Sequence, residues 1–234
     1  MPTLREFYWL EKLINTITLG ATTMKIKKSL FLMLGLVLAI DQTSGVAQST
    51  TSPIRSTSLA TFEGQVIDLS KGWGRAKVCS VRGPNDVRCY ASSVEALAAE
   101  LRAAKPNLTQ SQALQTARAQ EAAITQASKP NCPSRGLFTG SDWVCLYDGQ
   151  KWEGRRLQFN GDLGKWQDLR TYGFEKKTSS WANTRSKGFG LCKNAISGKT
   201  PCPSNLYVRF QGHANSSVMP SGWDNAAQSV GLDG

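Results

Sequence analysis

One stretch restricts the possible folds of this chain more than any other: Leu146-Tyr147-Asp148-Gly149-Gln150-Lys151-Trp152-Glu153-Gly154-Arg155-Arg156-Leu157-Gln158-Phe159, followed by Lys177-Thr178-Ser179-Ser180-Trp181. An aromatic, four residues, a second aromatic, one residue and a glycine is the spacing of a Greek-key β-hairpin. Gly154 supplies a positive φ that a residue with a side chain adopts only under strain. Tyr147 and Trp152 then cover the folded hairpin with ring surface. Ser180 brings a hydroxyl to backbone groups that the bent hairpin leaves unpaired. Hairpins in other β-sandwiches share the local spacing, so the downstream Ser-Ser-Trp is the discriminating part.

Cys132-Pro133-Ser134, Val144-Cys145-Leu146-Tyr147, Trp152-Glu153-Gly154-Arg155-Arg156-Leu157, Tyr172-Gly173-Phe174 and Lys177-Thr178-Ser179-Ser180-Trp181 together resemble the βγ-crystallin motif. More narrowly, they resemble the bacterial secreted peptidase inhibitors of family I36, over residues 131–234. The resemblance implies a mainly β, crystallin-like Greek-key sandwich that acts by binding. It also implies an extracellular protease as partner, with the metalloprotease class favoured.

A second copy follows in register. Gly173-Phe174-Glu175-Lys176-Lys177-Thr178-Ser179-Ser180-Trp181 aligns without gaps on Gly222-Trp223-Asp224-Asn225-Ala226-Ala227-Gln228-Ser229-Val230, which puts Ser229 in the role of Ser180. Such a repeat predicts two stacked Greek keys forming one domain, able to fold without the residues before 131. Upstream, Leu191 and Ile196 stand where the two aromatics belong, with Gly198 after them. In this fold class two Asp/Asn residues, two spacers, Ser/Thr and Ser can hold Ca²⁺ through oxygen ligands. The first copy offers Glu175 and Lys176, and the Lys176 ammonium occupies a ligand position. The second offers Asp224 and Asn225, but Gln228 replaces the Ser/Thr. Asp224-Asn225 also reads as a plain polar turn. No cofactor is expected, and any calcium site would be weak and built on Asp224 and Asn225.

Met24-Lys25-Ile26-Lys27-Lys28, an apolar run over residues 30–40 and Gly45-Val46-Ala47 have the form of an export signal cleaved near Gln48. Residues 1–47 are therefore read as an upstream extension plus signal peptide, and the product as secreted. The apolar run is short for a stable membrane span. Export gives the six cysteines their meaning, since an even number in an oxidising compartment reads as disulfides. The sequence leaves the connectivity open among many pairings, and proximity favours Cys79–Cys89, Cys132–Cys145 and Cys192–Cys202. A metal-site reading is poor, with no Cys-x2-Cys pair and a single histidine, His213.

Residues 48–60 form a Ser/Thr-rich leader. Residues 61–130 read as a small segment of their own. In it, a hairpin turns at Gly83-Pro84-Asn85-Asp86 and is clamped by Cys79–Cys89, and two helices follow, capped at Ser92 and Thr109. Ser128-Lys129-Pro130-Asn131 marks a boundary, and 131–234 is the crystallin-like domain. The net charge of +11 is scattered rather than massed in a stripe, so nucleic acid is not the expected partner. A monomer is expected.

Catalysis has little to stand on. Bridged cysteines leave no thiol nucleophile. His213 follows the strand-like Leu206-Tyr207-Val208-Arg209-Phe210-Gln211, a position typical of a surface histidine. Asp142, Asp148, Glu153 and Asp162 sit in no glycosidase pattern, and Gly188-Phe189-Gly190 lacks the context of a phosphate loop. The sequence reads as no enzyme. The favoured function is an exported proteinase inhibitor whose docking loop lies between Cys192 and Cys202: Lys193, Asn194, Ala195, Ile196, Ser197, Gly198, Lys199, Thr200 and Pro201. That loop is equally readable as a disulfide hairpin without a target. One rival is a crystallin-like envelope or matrix protein with weak calcium or polysaccharide binding, which surface Trp and Tyr on one face would favour. The other is an enzyme built on His213 and a carboxylate.

Overall fold

The computed structural model describes residues 58–137, 140–160, 163 and 166–233. The expected signal, the upstream extension, most of the leader and Asp162 lie outside them.

The first Greek key is built from β5 (Trp143–Tyr147), β6 (Arg156–Asn160), β7 (Trp166–Asp168) and β8 (Ser180–Asn183). The second is built from β9 (Phe189–Cys192), β10 (Tyr207–Phe210), β11 (Ala214–Ser216) and β12 (Ser229–Leu232). Each key lends its third strand to the other's sheet. One sheet contains the run β11-β8-β5-β6, and the other is β7-β12-β9-β10. The two runs have the same internal order, which is the exchange expected of stacked, repeated motifs. The fold is a crystallin-like Greek-key sandwich.

Alternation along the strands sets the core. Val144, Leu146, Leu157 and Phe159 point between the sheets and meet Phe189, Leu191, Val230 and Leu232 from the other side. On β5 the remaining residues, Trp143, Cys145 and Tyr147, point outward and are also buried, in a second cluster with Cys132 and Ala182. The strand is covered on both faces because the segment entering it folds back across its outer side, with Cys132 bridged to Cys145.

The first sheet does not stop at β6. Four more strands extend it: β1 (Leu59–Phe62), β2 (Gln65–Asp68), β3 (Val78–Gly83) and β4 (Asp86–Tyr90). β3 and β4 form the expected hairpin, with Cys79 bonded to Cys89. β3 also runs parallel to β6, pairing Cys79 with Leu157 and Val81 with Phe159. Gln158 Nε2 donates to Ser80 Oγ at 2.7 Å beneath the outer surface. Trp73, Leu69, Val81 and Val87 share one core with Leu157, Phe159 and Phe174. Residues 61–130 and 131–234 thus divide the sequence at a chain link, while the sheet and core run across it. The physical reason is the apolar inner face of the β3–β4 hairpin, which finds its cover on the crystallin-like half.

Helices α1 (Ser93–Ala104) and α2 (Gln110–Gln126) carry a small cluster of their own, Leu97, Ala98, Leu101, Ala113 and Ala117. Thr109 completes a reciprocal capping box with Gln112. Ser92 accepts from the Glu95 amide, whereas the Glu95 carboxylate turns to the amide of Ala91. Glu100 of α1 is 3 % exposed and lies 2.8 Å from Arg82 of β3. Burial raises the Glu100 carboxyl above its ordinary range, against the pull of Arg82.

Candidate functional site

The first hairpin shows why its residue types are required. Gly154 has φ +77, and a Cβ there would lie 2.1 Å from Asp148 Oδ1. That oxygen accepts from the Arg155 amide at 2.6 Å, and its partner Oδ2 accepts from Arg155 Nε at 2.7 Å. Ser180 Oγ donates to the Gly149 carbonyl at 2.6 Å and accepts from the Trp152 amide at 3.1 Å. Trp152 rests against the outer cluster and its indole donates to the Trp181 carbonyl. Tyr147 is 1 % exposed, and burial pushes its phenol above the usual range despite the Arg156 guanidinium nearby.

The second hairpin repeats this with different side chains. Ser229 Oγ accepts from the Ile196 amide at 2.7 Å and lies 2.8 Å from the Asn194 carbonyl and 3.0 Å from the Ile196 carbonyl, so its proton serves that pair. Gly198 has φ +65, matching Gly154. Gly173 and Gly222 are both at positive φ, and Lys176 and Asn225 share φ 53. Lys176 donates its amide to Ala227 and Asn225 donates its amide to Thr178, a reciprocal pair across the two copies.

One register needs correction. Leu191 does not hold the first aromatic position; Cys192 does. Ser180 lies opposite Tyr147 and Ser229 opposite Cys192. The Ser179 amide donates to Tyr147 and the Gln228 amide to Cys192, both at 2.8 Å. Leu191 faces the core, as Leu146 does. The second hairpin is one residue shorter between strand and turn, and with both rings gone nothing in the sequence displays the slip.

The loop from 193 to 201 is therefore anchored at several points. Cys192 is bonded to Cys202. Ser229 holds Asn194 and Ile196 by their backbone. Gly198 exchanges two backbone hydrogen bonds with Trp166, at 2.9 and 3.1 Å. The Lys193 amide donates to Leu206, and its ammonium lies 4.8 Å from the centre of the Trp223 ring. Between these anchors Asn194, Ser197, Lys199, Thr200 and Pro201 are exposed, while Ala195 and Ile196 are half-buried.

The donor set of the two copies does not fit a hard cation well. Lys176 is exposed at the first copy's ligand position. Asp224 is exposed, and the Asn225 side-chain oxygen accepts from Ser179 Oγ at 3.2 Å. No group of three or more His, Cys, Asp or Glu side chains comes together to hold a metal among the described residues. His213 is exposed at φ 50 in the turn before β11.

The sequence reading passed over Trp166, Tyr207 and Asp233, which lie beside this loop. Gly190 and Gly231, glycines inside β9 and β12, were the available signal, since mid-strand glycine marks a close approach by another group.

No family model matches the chain, and no curated protein matches it. Among solved structures, a betagamma-crystallin from an archaeon is similar at 16 % identity, over 39 % of this chain and 98 % of that one, with a TM-score of 0.28. The class rests on the strand exchange itself. The crystallin-like fold and three disulfides fit a stabilised extracellular domain. Among the described residues no helix is long and apolar enough to cross a membrane.

Proposed function

We propose that this chain is an exported, disulfide-stabilised proteinase inhibitor that docks the loop between Cys192 and Cys202 into the active site of an extracellular protease. The observation that carries this reading is the state of that loop. It projects exposed polar residues, yet its backbone is held by the Cys192–Cys202 bond, by Ser229 and by the Gly198–Trp166 pairing. A loop ordered before binding loses less conformational freedom on docking, so more of its contact energy is expressed as affinity. The resemblance to secreted inhibitors favours a metalloprotease as target. Inhibition on this reading is occlusion of the cleft, and no bond in the inhibitor need break.

The test is titration of the purified mature protein against a metalloprotease, a serine protease and a cysteine protease. Saturable, stoichiometric inhibition of one class is expected. A Cys192→Ser, Cys202→Ser double variant should inhibit more weakly, with a smaller effect on thermal stability. Absence of inhibition across all three classes would remove the reading.

A further inference from the structure

The outer face of the second sheet holds two aromatic rings that the inhibitor reading does not use, beside a cleft that shares Gly198 and Lys199 with the docking loop. Trp166 on β7 and Tyr207 on β10 pack edge to face there, with ring centroids 6.0 Å apart and planes at 75°. Neither ring belongs to any of the hydrophobic clusters. Between them run Gly190 and Gly231, direct cross-strand partners. A Cβ on Gly190 would lie 2.3 Å from the Tyr207 ring, and one on Gly231 would lie 2.9 Å from the Trp166 ring. Neither glycine has a positive φ, so backbone conformation does not call for them. They are needed because the two rings lie directly on the strands.

A cavity of about 350 Å³ opens beside the rings, with Gly198, Lys199 and Asp233 completing its walls. Its volume is within the range of small-ligand sites, about 300–1,000 Å³. Lys199 is exposed. Asp233 Oδ2 accepts from Arg209 Nη2 at 2.7 Å, which holds the carboxylate at the rim.

We infer that this cleft binds a pyranose unit of a neutral polysaccharide. A sugar ring presents an apolar C–H face and an equatorial fringe of hydroxyls. An indole or phenol face suits the first, through contact area and the negative face of the ring quadrupole. The second needs donors and acceptors around the edge, which the Lys199 ammonium and the Asp233 carboxylate supply. A nucleobase would also stack, but a nucleic-acid backbone needs a run of cations along its path; here Lys199 stands beside the Asp233 carboxylate, and Arg209 is already paired with that carboxylate. The inference goes beyond the inhibitor reading and does not depend on it.

The experiment is calorimetric titration of the full mature protein with hexa-N-acetylchitohexaose and with cellohexaose, both neutral, and with a single-stranded DNA oligonucleotide in a parallel arm. Saturable binding of at least one hexasaccharide is expected. Trp166→Ala and Tyr207→Ala should each weaken it at least about tenfold, with Trp166→Phe recovering part of the loss. Val66→Ala, an exposed change on β2 in the other sheet, should bind like the parent. Each variant is first checked for an unchanged melting temperature. If Trp166→Ala fails to fold, Asp233→Asn and Lys199→Ala, which alter only the rim, serve in its place. Failure of both hexasaccharides to bind, undiminished binding by the cleft variants, or preferential binding of the oligonucleotide would each overturn the inference.

Discussion

The indole N–H of Trp73 donates to the backbone carbonyl of Tyr172 at 2.6 Å, joining residues 99 apart in the chain. The Trp73 ring stacks on Phe174 with centroids 5.5 Å apart, and Trp73 itself is 2 % exposed. Between its two partners, Gly173 has φ +61 and comes so close to the Leu69 carbonyl that a Cβ would lie 2.2 Å from that oxygen. The segment before the crystallin-like half is therefore part of its core.

Trp73→Ala should destabilise the whole protein by roughly 3–5 kcal/mol, the usual range for a buried Trp. Chemical denaturation monitored by circular dichroism reads this as one cooperative transition shifted to lower denaturant. A fragment of residues 131–234 should melt well below the full mature chain or precipitate, because Leu157, Phe159 and Phe174 lose their cover. An unchanged transition in Trp73→Ala, or a fragment as stable as the mature chain, would contradict the shared core.

Gly154 and Gly198 make a matched pair with unequal surroundings. Both hold positive φ, but a Cβ at 154 meets Asp148, whereas a Cβ at 198 meets nothing within 4 Å. Gly198→Ala should lose only the backbone term, about 1–2 kcal/mol. Gly154→Ala should lose more, because the Asp148 carboxylate must also leave Arg155, a hydrogen bond to a charged group being typically about 1.5–3 kcal/mol. Equal losses in thermal unfolding would show that the Asp148 contact relaxes freely.

Tyr147, Trp152, Gly154 and Ser180 are legible in the sequence because one hairpin uses all four within a short span and the spacing itself is the geometry. The exchange of β7 and β11 follows from the repeat. The β3–β6 pairing is not legible. It joins two strands far apart in sequence, in parallel, and depends on an apolar face that reads locally as the inside of a hairpin. The position of Cys192 is hidden for a related reason: without rings at the second hairpin, only the Ser229 contacts show which residue stands opposite. The Trp166–Tyr207 cleft is written in two mid-strand glycines whose meaning appears only when the strands are paired.

Glu100 should give stability a pH dependence of defined sign. Its carboxyl is raised above the ordinary value of 4.5 by burial. Above 4.5 the unfolded chain releases this proton first, so the folded state holds more protons and stability falls as pH rises through the folded value. The contribution is complete below the unfolded value. The melting temperature of the parent minus that of Glu100→Gln should therefore decline from pH 4.5 upward until Glu100 is fully ionised. A difference that increases over this window would mean that Arg82 overcomes the burial penalty.

Calcium should bind weakly. Lys176 puts an ammonium at a ligand position of the first copy, Gln228 puts a longer amide where the second needs a Ser/Thr hydroxyl, and Asn225 already accepts from Ser179. Calorimetric titration is expected to show nothing tighter than the weak extracellular range, about 10⁻⁴–10⁻³ M. A micromolar site would contradict this reading of the two loops.

Ser180 and Ser229 allow the function to be separated from the fold. Both are fully buried and each ties down the backbone of one hairpin. Replacing either by Ala leaves buried backbone groups unpaired, and each change should lower stability by about 1–3 kcal/mol. Only Ser229 holds the proposed docking loop. The deciding measurement is the inhibition constant of Ser229→Ala against that of Ser180→Ala, on the protease the mature protein inhibits, at a temperature where both variants are folded. The account predicts inhibition at least about tenfold weaker in Ser229→Ala, a change of roughly 1.4 kcal/mol, with Ser180→Ala close to the parent. Equal inhibition by the two variants, or greater loss in Ser180→Ala, would contradict the placement of the inhibitory loop between Cys192 and Cys202.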